Sequence, residues 1–192
     1  MVEASEDERV VVDPELLARA RSLMYRLLYI LFSEESPSVK LDSVNLLGFV
    51  GGECSKSLEY LARIGDVKAR DHRHDLDPVT RSLIPVALRT WYERTGYTIE
   101  GEPDSLSVML AYLSKLAEDE ARALRENDVE KAYELKRNQL RFLNTHVKPL
   151  IQALIRTYNE PEKTALECLR NLLDNDIELL KEILTTKQTP NE

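Results

Sequence analysis

Apolar residues recur along this chain at intervals of three and four, the period of helices buried on one side. The stretch Gly101–Glu126 carries the pattern most fully. Leu106, Met109, Leu110, Leu113, Leu116, Ala117, Ala121 and Leu124 share one face. Ser107, Ser114, Lys115, Glu118, Arg122 and Arg125 fill the other, with Glu118 and Arg122 spaced as an i,i+4 ion pair. Asp104, directly after Pro103, stands where an N-cap is expected. The spacing predicts a core helix with the loop Glu102-Pro103-Asp104-Ser105 at its mouth.

The same period predicts helices before and after it. Asp13-Pro14 is a helix start, with Asp as cap and Pro at the first position, and the stripe from Leu16 to Leu31 is broad enough to place that helix near the centre. Weaker patterns follow over Val39–Val50, closed by Gly51-Gly52, and over Glu53–Ile64, stopped by Gly65. Asp77-Pro78 opens another helix, Pro85 restarts it, and Gly96 ends it. Val129–Thr145 is helical up to a bend imposed by Pro149, and Asn159-Glu160-Pro161 opens the last helix. Alternation of period two is absent, so the class is all-α: a single-domain multi-helix bundle over residues 13–184, with a disordered acidic tail at 1–12 and a disordered tail at 185–192.

Composition narrows the function. The chain has 192 residues, enough for one domain with a real core. Its 34 acidic against 26 basic side chains give a net charge of -8, which argues against nucleic acid as a partner. No apolar run reaches the length of a membrane span, and MVEASEDERVVV lacks the basic-then-apolar order of a signal peptide. Cys54 and Cys168, far apart and without a CxxC or a neighbouring histidine, suggest neither a disulfide framework nor a zinc site, and the protein reads as cytoplasmic and reduced.

Candidate chemistry is sparse. Asp71-His72-Arg73-His74-Asp75 gathers two histidines and two carboxylates, ligand types that suit a divalent metal, and would support a helical metal-dependent hydrolase. It lacks a second ligand cluster and an H-E-x-x-H helix, so a solvated, charge-balanced loop is the preferred reading, with no metal and no cofactor. No nucleophile motif is visible, so no catalytic residue is assigned. Tyr25, Tyr29, Trp91, Tyr92, Tyr97 and Tyr112 read as core aromatics before they read as a peptide groove. His146 reads as a structural histidine, and a generic protein-interaction module remains a third reading.

The motifs go further than the composition. Glu102-Pro103-Asp104-Ser105-Leu106-Ser107-Val108, continuing to Leu110, Tyr112, Leu113 and Leu116, resembles the signature of the TorD/DmsD/NarJ-like chaperones, which mature molybdenum-containing redox enzymes. Leu23-Met24-Tyr25-Arg26-Leu27-Leu28 to Leu31-Phe32 is similar to the family's tyrosine-containing first helix. Phe142-Leu143 to His146 and Pro149 resembles a third family stretch. Ser105 stands where the family carries histidine. The resemblance implies an all-helical cytoplasmic chaperone, monomer or dimer and not an enzyme. It would bind the twin-arginine signal peptide of a molybdenum-containing oxidoreductase precursor until the cofactor is inserted. It points to Glu102, Pro103, Asp104, Ser105, Tyr112 and His146 as the peptide-binding residues.

Overall fold

A computed structural model of the chain describes residues 13–51 and 57–186. They form helices α1 (Pro14–Phe32), α2 (Pro37–Gly51), α3 (Leu61–Ile64), α4 (Ala69–His72), α5 (Pro78–Ser82) and α6 (Ile84–Arg94). After these come α7 (Leu106–Arg125), α8 (Val129–Phe142), α9 (Lys148–Thr157) and α10 (Glu162–Thr186). No strand occurs among the described residues; an isolated antiparallel bridge joins Lys68 to Ser105. The all-α bundle read from the apolar period is the observed architecture.

α1 packs most extensively on α7, which is flanked on its other side by α8, while α2, α9 and α10 close the bundle. One core runs through it, from Tyr25, Leu28 and Phe32 of α1 to Leu106, Leu110 and Leu113 of α7 and on to Phe142, Leu150 and Leu169. Local chemistry sets the helix ends. The Asp13 carboxylate accepts from Glu15 N at 2.9 Å, and Asp77 accepts from Val79 N and Thr80 N at 3.0 and 3.1 Å. Gly65 (φ 71°) stops α3 and Gly96 (φ 84°) follows α6, a backbone region that costs any residue with a Cβ. Pro149 lacks the N–H that a regular helix would aim at Thr145, and Leu143–Val147 accordingly widens into a π turn before α9.

Several expectations need correction. The N-cap of α7 is Ser105, not Asp104. Arg122 pairs with Asp119 at 3.3 Å rather than with Glu118, which takes Lys115 at 2.9 Å. Ser107, assigned to the polar side, is buried, its N–H donating to Asp66 and its hydroxyl 2.8 Å from that of Ser105. α1 is central, yet Leu16 and Leu23 on its outer side stay more than half exposed. Cys168 is disulfide-bonded, against the reading of a reduced pair, since sequence separation says nothing about which thiols a fold brings together. Cys54, the only other cysteine of the chain, lies outside the described residues, as do Gly52 and residues 53–56 of the helix expected over Glu53–Ile64, whose remainder forms a 3-10 turn (Leu58–Tyr60) and then the short α3. Thr185 and Thr186, expected in a tail, continue α10, while residues 1–12 and 187–192 lie outside the described set.

A second cluster in the core was not singled out from sequence. Arg21 donates from Nε to Asp176 at 2.5 Å, from Nη1 to Glu120 at 3.0 Å and from Nη2 to Gln139 at 2.7 Å. Lys136 reaches Glu120 at 2.9 Å and the Tyr25 hydroxyl donates to Asp176 at 2.5 Å. All six side chains are buried. Two cations face two carboxylates, so charge balances where water is excluded. Burial alone would disfavour the Arg21 cation, but adjacent Asp176 more than offsets it and raises its pKa.

A candidate peptide site at the mouth of helix α7

Segment 66–70 lies against the loop that precedes α7. Ala69 N donates to Asp104 O and Leu106 N to Val67 O, each at 2.8 Å, and this pairing brings Asp66 and Arg70 to the head of the helix. Asp66 acts there as a second cap from outside the helix. Its carboxylate accepts from Ser107 N at 3.1 Å and from the Ser105 hydroxyl at 2.7 and 2.6 Å. A carboxylate in that place satisfies orphan N–H groups and complements the positive end of the dipole.

The residues singled out from sequence fall into three situations. Asp104 is fully buried, accepting from Arg70 N at 3.0 Å with the Arg70 guanidinium 3.2 Å from its other oxygen. Glu102, half exposed, also pairs with the Arg70 guanidinium and lies 3.7 Å from Lys68. The hydrogen bond from Arg70 holds the Glu102 pKa below the usual carboxylate range. Pro103 offers its carbonyl to the Tyr92 hydroxyl at 2.9 Å. These three residues, with Ser105, fix the loop to the bundle.

Tyr112 belongs to an aromatic cluster, with ring centroids 4.8 Å from Tyr92, 5.3 Å from Tyr97 and 4.7 Å from Phe142. Its hydroxyl meets the Thr95 hydroxyl at 2.9 Å, and burial raises its pKa. His146 lies on the far side of the cluster, edge-on to Trp91 at 5.1 Å and tilted against Phe142 at 5.1 Å. Its Nε2 is buried without a hydrogen-bond partner. Burial, then the nearby Arg73 charge, lowers its pKa to about 4, so the ring is neutral at physiological pH.

Two separate openings meet these residues. One is a cleft of about 500 Å3 between the end of α1, the 97–100 segment and the first turns of α7. Tyr112 lines it, beside Tyr29, Ile99, Val108 and Ala111, while Glu34, Asp66 and Glu100 supply carboxylates and Lys115 one ammonium. Lys115 is held by Glu118 and Asp119 at 2.9 and 3.3 Å. The other is a smaller cavity of about 180 Å3 behind α7, lined by Met109, His146 and Arg73. The structure therefore separates Tyr112 from His146. Glu34, Asp66 and Glu100 carried no signal in the sequence, because isolated carboxylates in an acidic chain are indistinguishable until the fold gathers them.

The Asp71–Asp75 stretch spends its side chains on internal partners. Arg73 makes a two-pronged contact with Asp75 at 2.8 and 2.9 Å, and the His74 ring meets Arg81. His72 lies against Tyr158 with centroids 6.4 Å apart. No group of three or more metal-ligating side chains gathers among the described residues.

Residues 74–156 match the family described as nitrate reductase delta subunit, the NarJ/TorD-like chaperones. The matched stretch runs from α5 through α9 and contains the α7 mouth, the aromatic cluster and His146. The family serves the maturation of nitrate-reductase-like molybdoenzymes and is not a catalytic one, and no described helix is long and apolar enough to cross a membrane. Over residues 74–156 this chain is thus similar to the nitrate reductase delta subunit family of maturation chaperones.

Proposed function

We propose that the protein is a cytoplasmic chaperone, without catalysis of its own, that holds the twin-arginine signal peptide of a molybdenum-containing oxidoreductase precursor while its cofactor is inserted. The peptide lies in the cleft beside α7. The observation that carries this reading is the composition of that cleft: Glu34, Asp66 and Glu100 rim an opening whose walls include Ile99, Val108, Ala111 and Tyr112. A signal peptide of this kind is two arginines followed by an apolar run. It needs carboxylates next to apolar surface, and charge-assisted hydrogen bonds to arginine give both affinity and direction.

The residues first nominated enter the proposal with different roles. Tyr112 and Ser105 contribute to the cleft, one as wall and one by holding Asp66 in place. Glu102, Pro103 and Asp104 fix the loop that shapes it, and His146 supports the aromatic cluster from behind.

Calorimetry with a synthetic twin-arginine peptide tests the reading. Saturable binding is expected, weakened at least tenfold when both arginines become alanine. Absence of binding by the unaltered protein overturns the function. The double variant Glu34→Gln/Glu100→Gln should bind at least tenfold more weakly, about 1.4 kcal/mol, within the range for losing charged hydrogen bonds. If that variant binds as the parent does, the function stands and the cleft is the wrong site.

A further inference from the structure

The cavity behind α7 has no part in the peptide reading, since no residue lines both it and the cleft beside α1. Two of its polar groups are unspent. His146 Nε2 is buried without a hydrogen-bond partner, a costly state for a polar atom that nothing occupies. Arg73 commits Nε and Nη2 to Asp75, at 2.8 and 2.9 Å. Its side chain is only 14 % exposed, yet Nη1, on the other edge of the guanidinium, donates to no described residue.

Water does not explain such a space. The cavity's 180 Å3 would hold roughly six waters, each wanting two to four polar partners, yet Arg73, Thr145 and His146 are the only polar side chains among the nine that line it. Leu76, Leu88 and Met109 contribute apolar wall. An occupant with one polar head and a short apolar stem matches that division. The head is an anion and an acceptor. The Arg73 charge repels a cation, no carboxylate lines the cavity, and the neutral imidazole donates once its hydrogen sits on Nε2.

We propose that this cavity binds a small carboxylate on a short aliphatic stem. One oxygen accepts from Arg73 Nη1 and the other from His146 Nε2, with the stem against Leu76, Leu88 and Met109. Arg73 keeps Asp75 throughout, because a guanidinium offers separate donor edges to two carboxylates. The π turn Leu143–Val147 carries both Thr145 and His146 to the cavity, a kind of turn frequent at functional sites. A carboxylate beside the ring opposes the Arg73 charge and raises the His146 pKa from about 4.

Trp91 is the chain's only tryptophan, and it lies edge-on to His146 at 5.1 Å, so its fluorescence reports on the cavity. Titrating the full chain with sodium butanoate at constant ionic strength should give a saturable change. Butanamide, similar in shape but uncharged, should bind at least tenfold more weakly, as should sulfate, which lacks the stem. Arg73→Gln should weaken butanoate at least tenfold. In the unaltered chain, saturation should also move the nitrogen-15 resonances of the His146 ring. No saturable change, butanamide or the Arg73 variant matching the parent with butanoate, or an unmoved His146 ring overturns the site. Equal binding of sulfate marks an adventitious ion only and overturns it as well. The same head group arrives on a free acid or on a glutamate side chain, so a capped tripeptide with central glutamate is titrated beside butanoate. Tighter binding of either one supports the site and names the source.

Discussion

Removing one member of the buried charge cluster should cost far more than removing two together. In Asp176→Leu the Arg21 cation loses contacts at 2.5 and 3.1 Å and keeps Glu120 at 3.0 Å. Lys136 already holds Glu120 at 2.9 Å, so two buried cations would share one carboxylate. An uncompensated charge in such a place costs about 3–5 kcal/mol. For a chain of this length that is a fall in Tm on the order of 10 °C. Replacing Arg21 by Met in the same chain removes the excess cation, leaves Glu120 with Lys136 and with Gln139 at 2.7 Å, and fills the space with an apolar side chain. Arg21→Met/Asp176→Leu should therefore recover at least half of the loss. Urea unfolding of parent, both single variants and the double variant closes the cycle. If the double variant's loss equals the sum of the single losses, the two side chains do not act as a compensated pair and the reasoning fails.

Three further outcomes follow from the same geometry. His146 binds its proton below its unfolded value, so stability is complete above about pH 6.5 and declines toward pH 4, by as much as ~3 kcal/mol. Denaturant midpoints of the parent and of His146→Phe across that range check it, and equal slopes in the two would refute it. Ser105→Ala removes the α7 cap and the hydroxyl that meets Asp66, which should lower unfolding free energy by about 1–2 kcal/mol; a loss below about 0.3 would show that Asp66 alone caps the helix. Gly65→Ala places a Cβ at φ 71° with no other contact to meet, so it should cost about 1–2 kcal/mol from backbone strain alone; an unchanged urea midpoint would contradict that.

Much of the fold was legible because period alone carries it. The Asp-Pro starts at positions 13 and 77 cap the helices they announce, and the α7 stripe is buried as spaced. What failed depended on contacts distant in sequence. Asp104 reads as a cap because an Asp after Pro usually is one, but Asp66, some forty residues earlier, reaches the same N–H groups and leaves Asp104 to Arg70. The buried cluster did leave a trace. Arg21 interrupts the apolar face Ala18, Tyr25 and Leu28, and Lys136 with Gln139 interrupts Ala132, Leu135 and Phe142. Charges on the buried side of two helices are a signal that partners exist, although not of which ones.

The electrostatics of the α7 mouth decide which carboxylates can meet an arginine. A helix N-terminus carries partial positive charge and repels a guanidinium, so acidic residues there are consumed before a ligand arrives. Asp66 answers the helix N–H groups, and Arg70 answers Asp104 and Glu102. The opposite pole faces the same cleft. α1 ends at Phe32 with no basic residue in its last turn, and Glu34 follows within two residues, so the negative end of that helix adds to the carboxylate. Glu100 stands on the loop across from it, free of any helix terminus. In the proposed binding mode attraction for arginine thus comes from Glu34 and Glu100, not from the loop before α7. Glu102→Gln is then expected to change the affinity for a twin-arginine peptide less than twofold, while Glu34→Gln alone weakens it by roughly fivefold, about 1 kcal/mol. Calorimetry of the two variants side by side decides it. The reverse order, with Glu102 dominant, would return the peptide's arginines to the loop before α7 and require Arg70 to release its carboxylates on binding.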